Sequence, residues 1–89
     1  MTNVAELDPE AVRIGATIKA LREALGWTTN ELAAAVSKSH AYLSNIEHGR
    51  KRCPPKLCRE IAAALGVAPA AIISPAYDTE GLLNQARSA

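Results

Sequence analysis

The sequence contains no phenylalanine, and its aromatic residues reduce to Trp27, Tyr42 and Tyr77. Strands favour aromatic and β-branched side chains, so an alanine-rich chain poor in both is set for helices. Long apolar runs are also missing. Nothing approaches the roughly 20 apolar residues of a membrane span, and the opening residues, with Glu6, Asp8 and Glu10, lack the basic start of a secretory signal. A cytoplasmic chain with no membrane partner is expected. Cysteine is scarce: Cys53 and Cys58, with four residues between them, fit neither a CxxC pair nor a zinc spacing and read as reduced, structural residues. His40 and His48 lie eight positions apart, too far for a shared metal. There is no carboxylate pair, no Ser/His/Asp set and no glycine-rich phosphate loop, so no catalysis, metal or cofactor is expected.

What is present fits one small domain. The chain has 89 residues, 48% of them apolar, with a mean hydropathy of -0.02, which leaves room for a single core and none for a separate ligand-sensing domain. The net charge of +1 conceals a strong division. Residues 1–10 carry only acids, a net of -3. Residues 11–59 hold Arg13, Lys19, Arg22, Lys38, Arg50, Lys51, Arg52, Lys56 and Arg59 against Glu23, Glu31 and Glu47, a net of +6, and residues 60–89 return to -2. A basic middle between acidic ends is the footprint of a surface that meets a polyanion.

Helix signals punctuate the chain. Asp8 as N-cap, Pro9 at the first helical position and Glu10 in the first turn open a helix whose apolar face is Ile14, Ile18, Leu21 and Leu25, with Gly26 as its stop. Thr28 and Glu31 have the spacing of a capping box for a second, short helix from Thr29 to about Val36, which buries Leu32, Ala33 and Val36. Ser37 and Lys38 make a brief turn. Ser39 caps a third helix from His40 to about His48, with Leu43, Ile46 and Glu47 inward and Ala41, Ser44, Asn45 and His48 on the outer stripe. Gly49 closes it, and the basic connector Arg50, Lys51, Arg52 follows. A fourth helix begins at Cys53-Pro54-Pro55, buries Leu57, Ile61 and Leu65 and stops at Gly66, and Pro69 opens a short fifth carrying Ile72 and Ile73 before Pro75. Asp78 or Thr79 is placed to cap a last turn with Leu82, Leu83 and Ala86. The fold class is therefore all-α, five helices with a possible extra C-terminal turn. The boundaries are an N-terminal arm over 1–8, the domain over 9–74 and a tail over 75–89.

Two short helices joined by a tight turn, the second with a small polar outer face, form the unit that enters a DNA major groove. The stretches IKALREALGWTTNELAAAVSKSHAYLSNIEHGRKR and PPKLCREIAAALGV resemble the XRE family of helix-turn-helix DNA-binding domains, to which lambdoid phage repressors and Cro proteins belong. Leu-Arg in helix one, Glu-Leu-Ala in helix two and Tyr-Leu-Ser-x-Ile-Glu-x-Gly in helix three fall in the family's register. The resemblance implies an ion pair between Arg22 and Glu47, which explains an acid on the inward side of helix three. It also places Trp27 in the core. The chain departs from the family where Ser37 stands for the usual turn glycine, Lys38 for an apolar turn residue and Thr29 for a glutamine. Lys38 is therefore expected to reach outward to phosphate, and Ser37 to accept a left-handed backbone or reshape the turn.

On this reading the partner is double-stranded DNA. His40, Ala41, Ser44 and Asn45 are the candidate base readers: Asn45 suits adenine, Ala41 a thymine methyl, and His40 or Ser44 several bases. Thr29, Lys38, Ser39, Tyr42, Arg50, Lys51 and Arg52 are candidate phosphate contacts. A homodimer on a pseudo-palindromic operator is expected because one such module presents little surface, with Ile72, Ile73, Leu82 and Leu83 as its interface. The function so implied is a transcriptional regulator, a repressor in the first instance. Two alternatives stay open: an antitoxin-type interaction module whose tail holds a protein partner, and an architectural or recombination-directionality protein that bends DNA.

Overall fold

Five α-helices follow one another in the computed structural model, which describes residues 8–74: α1 (Pro9–Ala24), α2 (Thr29–Ala35), α3 (His40–Glu47), α4 (Pro55–Leu65) and α5 (Pro69–Ile73). There is no strand among the described residues. The N-termini are fixed by the side chains that the sequence puts there. Asp8 accepts from the Glu10 N–H at 3.0 Å, and Ser39 from the Tyr42 N–H at 3.0 Å. Thr28 and Glu31 complete a reciprocal capping box: the Glu31 N–H donates to Thr28 Oγ1 at 3.1 Å and the Thr28 N–H to Glu31 Oε1 at 2.8 Å. These bonds hold the Glu31 carboxyl below its ordinary pKa, the backbone bond from Thr28 contributing most.

The C-termini share one device. In α1 to α4 a residue with positive φ reverses the chain, and the next N–H returns to a carbonyl of the last turn: Trp27 to Arg22, Lys38 to Ala33, Arg50 to Asn45 and Val67 to Ala62, at 2.9–3.0 Å. Three of these reversals use glycine, at 26, 49 and 66. The fourth, between α2 and α3, is Ser37 at φ 59°, the one non-glycine residue with positive φ among the described residues. Ser37 thus accepts the left-handed backbone, and the turn keeps its shape at an energetic cost. The helix ends fall slightly inside the predicted ones: Leu25, Val36 and His48 act as C-caps, because the reversal takes each out of its helix.

The helices converge on Ile18, Leu21, Leu32, Leu43, Ile46, Ile61 and Ile72, all essentially without solvent contact, and the half-buried Trp27 packs against them. Ile72 corrects an expectation. It was placed on an exposed dimerisation patch, yet it is 0% exposed, because α5 turns it inward and leaves Ile73 outside at 37%. Leu82 and Leu83, the rest of that patch, and the tail that carries them lie outside the described residues.

Helix α3 is set against α1 by close approach and by charge. Gly15 lets α1 press on the end of α3: a Cβ there would collide with the Ile46 carbonyl oxygen. One turn earlier in α1, Val12 lies against Gly49, where an added Cβ would meet Val12 Cγ2 at 2.7 Å. Arg22 then reaches across from α1. Its Nε lies 2.7 Å from Glu47 Oε2 and its Nη2 3.1 Å from Oε1, a two-pronged pair, while Nη1 donates to the Trp27 carbonyl at 2.7 Å. The two side chains are 9% and 2% exposed.

Two stability outcomes follow. Glu47→Ala strands the Arg22 guanidinium in the interior and is expected to destabilise the fold by about 3–5 kcal/mol, read as a fall in melting temperature of about 15 °C or more. An unchanged melting temperature refutes a structural role for the pair. Ser37→Gly relieves the left-handed strain and is expected to stabilise by about 1 kcal/mol in chemical denaturation, with no gain if the turn is not strained.

Candidate nucleic-acid interface

Helix α3 is amphipathic: Leu43, Ile46 and Glu47 are buried, Tyr42 packs partly against the core, and the rest lies toward the outer side. His40 and Ala41, in the first turn, are exposed, as is His48 at the end, while Ser44 and Asn45 are half-buried. The four residues expected to read bases therefore share one stretch of surface, with the two at the N-terminal end the more accessible.

Ser44 and Asn45 already hold intramolecular partners. Asn45 Oδ1 accepts from Arg50 Nε at 2.9 Å. An amide oxygen has two lone pairs, so one acceptor site and both N–H donors of Asn45 remain for a base edge. His48 Nδ1 lies 2.7 Å from the Ser44 carbonyl and 3.4 Å from Ser44 Oγ. A carbonyl only accepts, so Nδ1 carries the hydrogen in this contact. His48 thus lies on the outer face, where the helical spacing places it.

The basic connector fans out to three anchors. Arg50 rests on Asn45, Lys51 stands over the Tyr42 ring at 4.9 Å from its centroid, and Arg52 Nε pairs with Asp8 Oδ2 at 3.2 Å. Arg50 and Lys51 are thus held on α3, whereas Arg52 is drawn to the start of α1. Lys38, from the turn before α3, also stands over Tyr42, at 5.0 Å. Ser39 spends an acceptor lone pair on its cap and keeps its O–H to donate. Thr29 is half-buried at the first position of α2.

Lys56, which the sequence reading counted but did not assign, shares a shallow groove with Lys38 and Tyr42. The signal was available. A lysine in the first turn of α4 sits at the unfavourable end of the helix dipole, in a groove that Glu60 also lines. Among the described residues it forms no ion pair.

On another side lies an open groove of about 520 Å³ lined by Ile14, Cys53, Pro54, Pro55, Cys58 and the exposed Ile73. The cysteines are free thiols. They occupy the positions just before the N-cap and four residues into α4, the two sites of a hydrophobic staple, and Cys58 Sγ donates to the Cys53 carbonyl at 3.6 Å. Contact between the thiols pushes Cys53 above the usual range and Cys58 below it, the latter helped by Arg59. The spacing that excluded a metal finger is that of a helix start. Among the described residues no group of three or more His, Cys, Asp or Glu side chains is placed to hold a metal ion. No helix among them is long and apolar enough to cross a membrane.

Comparison with known proteins agrees with this geometry. The family described as "Helix-turn-helix domain" matches residues 13–72. An uncharacterised HTH-type transcriptional regulator of Sinorhizobium fredii, y4dJ, is 33% identical over 66 residues, spanning 74% of this chain and 86% of that protein. Two crystal structures of the clp gene regulator ClgR from Corynebacterium glutamicum superpose well. One has a TM-score of 0.70 at 34% identity, covering 73% of this chain and 84% of that one. The other has a TM-score of 0.73 at 28% identity, covering 92% and 84%. The chain belongs to the helix-turn-helix domain family, and its five described helices form an XRE-like DNA-binding domain of that family.

Proposed function

We propose that this protein is a transcriptional repressor that binds a pseudo-palindromic operator as a homodimer, with α3 in the major groove of each half-site. The observation that carries this reading is the disposition of charge around α3. Its exposed first turn, His40 and Ala41, carries no acid and is flanked by Lys38 before the helix and by Arg50 and Lys51 after it, both anchored on α3 side chains. Phosphate contacts from the flanks fix the helix in register, and the short polar side chains between them meet base edges.

Asn45 is the strongest candidate for direct readout, since its remaining acceptor and two donors suit an adenine edge and Arg50 fixes its orientation. Lys38, Arg50 and Lys51 are the main phosphate contacts, with Thr29 and Ser39 as hydroxyl donors at the helix starts. Arg52 contributes less, because Asp8 competes for it. Two copies are needed because a single module buries too little surface for tight and specific binding. Two recognition helices then meet half-sites about 34 Å apart. Bound there, the dimer represses by blocking access of polymerase.

Selection of bound duplexes from a random pool tests the whole reading. The expected product is a pseudo-palindrome with half-sites about one helical turn apart, and failure to enrich any sequence overturns it. Within the selected site Asn45→Ala is expected to relax preference at one base pair, with a discrimination loss of about 1–3 kcal/mol. Uniform weakening across sequences would instead assign Asn45 to the backbone. If the dimer neutralises about 6–10 phosphates, affinity should fall by about 10³- to 10⁵-fold between 50 and 200 mM salt, and a flat response argues against DNA as the partner.

A further inference from the structure

The arginines and the lysines around the recognition helix are held differently. Arg13 pairs with Glu10, Arg22 with Glu47 and Arg52 with Asp8, whereas Arg50 rests on the Asn45 amide. Lys38 and Lys51 have no such partner among the described residues. What each has is the ring of Tyr42, at 5.0 and 4.9 Å from its centroid. A cation over an aromatic face is attracted by the ring quadrupole but meets no opposite charge, so it stays fully available to an anion. The two ammonium groups are also brought within about 10 Å of each other, since both lie against one ring. They come from opposite ends of α3, Lys38 from the turn before it and Lys51 from the connector after it, and like charges have no reason of their own to approach.

We propose that Tyr42 is a positioning residue, whose ring gathers Lys38 and Lys51 into a single site for the phosphodiester backbone of DNA. This rests on the DNA-binding reading above and revises one part of it: the phenol hydroxyl is not the phosphate donor, and the ring acts through the two lysines. Long lysine side chains lose much rotamer freedom when they grip a phosphate. A ring that restricts both in the free protein removes part of that loss beforehand. The half-buried Tyr42 itself packs against the core, so the platform is fixed to the scaffold while its cargo of charge stays exposed.

Three substitutions separate the possibilities in full-length protein. Tyr42→Phe keeps the ring and removes the hydroxyl, whereas Tyr42→Leu keeps apolar packing and removes the ring. Binding is measured to a duplex selected from the random pool and to an unrelated duplex, with a thermal melt to establish that each variant is folded. The expected result is wild-type affinity for Tyr42→Phe and about tenfold weaker binding to both duplexes for Tyr42→Leu, the scale of two side chains left unordered. Lys38→Met should then cost less in the Tyr42→Leu background than in the wild type. Equal losses in the Phe and Leu variants overturn the proposal in favour of a hydroxyl contact. Loss confined to one base pair overturns it in favour of base reading, and wild-type affinity in a folded Tyr42→Leu overturns it outright.

A second measurement needs neither DNA nor the leucine variant. In the free protein the ε-methylene protons of Lys38 and Lys51 should resonate upfield through ring-current shielding in wild type and in Tyr42→Phe. Absence of that shift in the wild type refutes the platform. Salt-insensitive or absent duplex binding with the shift intact refutes the DNA reading, and the phosphate site with it.

Discussion

Everything the outer face of α3 does depends on how its inner face is held, and the buried pair between Arg22 and Glu47 is the strongest directional element there. One guanidinium satisfies both oxygens of the α3 carboxylate and the Trp27 carbonyl at the α1–α2 turn. Three separate pieces of chain are thereby referred to a single rigid group. Hydrophobic burial drives the helices together but does not fix their angles, whereas a planar fork on a carboxylate does. The net stabilisation from such a pair is small because both charges must be desolvated, and its value lies in geometry.

The same concern for position explains the glycines at the α1–α3 contact. Gly15 leaves no room for a Cβ, and Gly49 serves two constraints at once, the left-handed reversal at the end of α3 and the close passage of Val12. These contacts bring α3 against α1 along its last turn, and the first turn, with His40 and Ala41, is left to solvent. A recognition helix needs that arrangement: one end fixed by packing and the other accessible to base edges.

Charge is organised by the same logic. Arg13 and Arg52 pair with Glu10 and Asp8, acids that lie outside residues 11–59, so the net charge of +6 over that stretch overstates what a ligand meets. Lys38, Lys51 and Lys56 form no ion pair among the described residues, and Lys38 and Lys56 line the groove beside Tyr42. The interface proposed for DNA is therefore a lysine surface with one anchored arginine, Arg50.

Much of this was legible in the sequence. The caps at Asp8, Thr28 and Ser39, the capping box through Glu31 and the glycine stops are local, set by residues a few positions apart, and needed no tertiary information. The staple formed by Cys53 and Cys58 was equally local and was overlooked only because cysteines invite a search for metals. Periodicity placed Glu47 inward but named no partner, and only the family resemblance supplied Arg22. Ile72 and Ile73 show where local reasoning stops. Adjacent residues on a five-residue helix carry no period long enough to tell which faces the core, so packing of α5 decided it. The partners of the connector were decided the same way. Three consecutive basic residues look alike in sequence, yet Arg50 goes to Asn45 and Lys51 to Tyr42, both on α3, while Arg52 goes to Asp8 at the start of α1. By itself the sequence determined which segments are helices and which face of each turns inward, since caps and amphipathic patterns act over a turn or two. The tertiary structure alone decided that Ile72 is buried beside an exposed Ile73 and that Arg52 is drawn to Asp8, since both depend on packing between segments that no helical pattern connects.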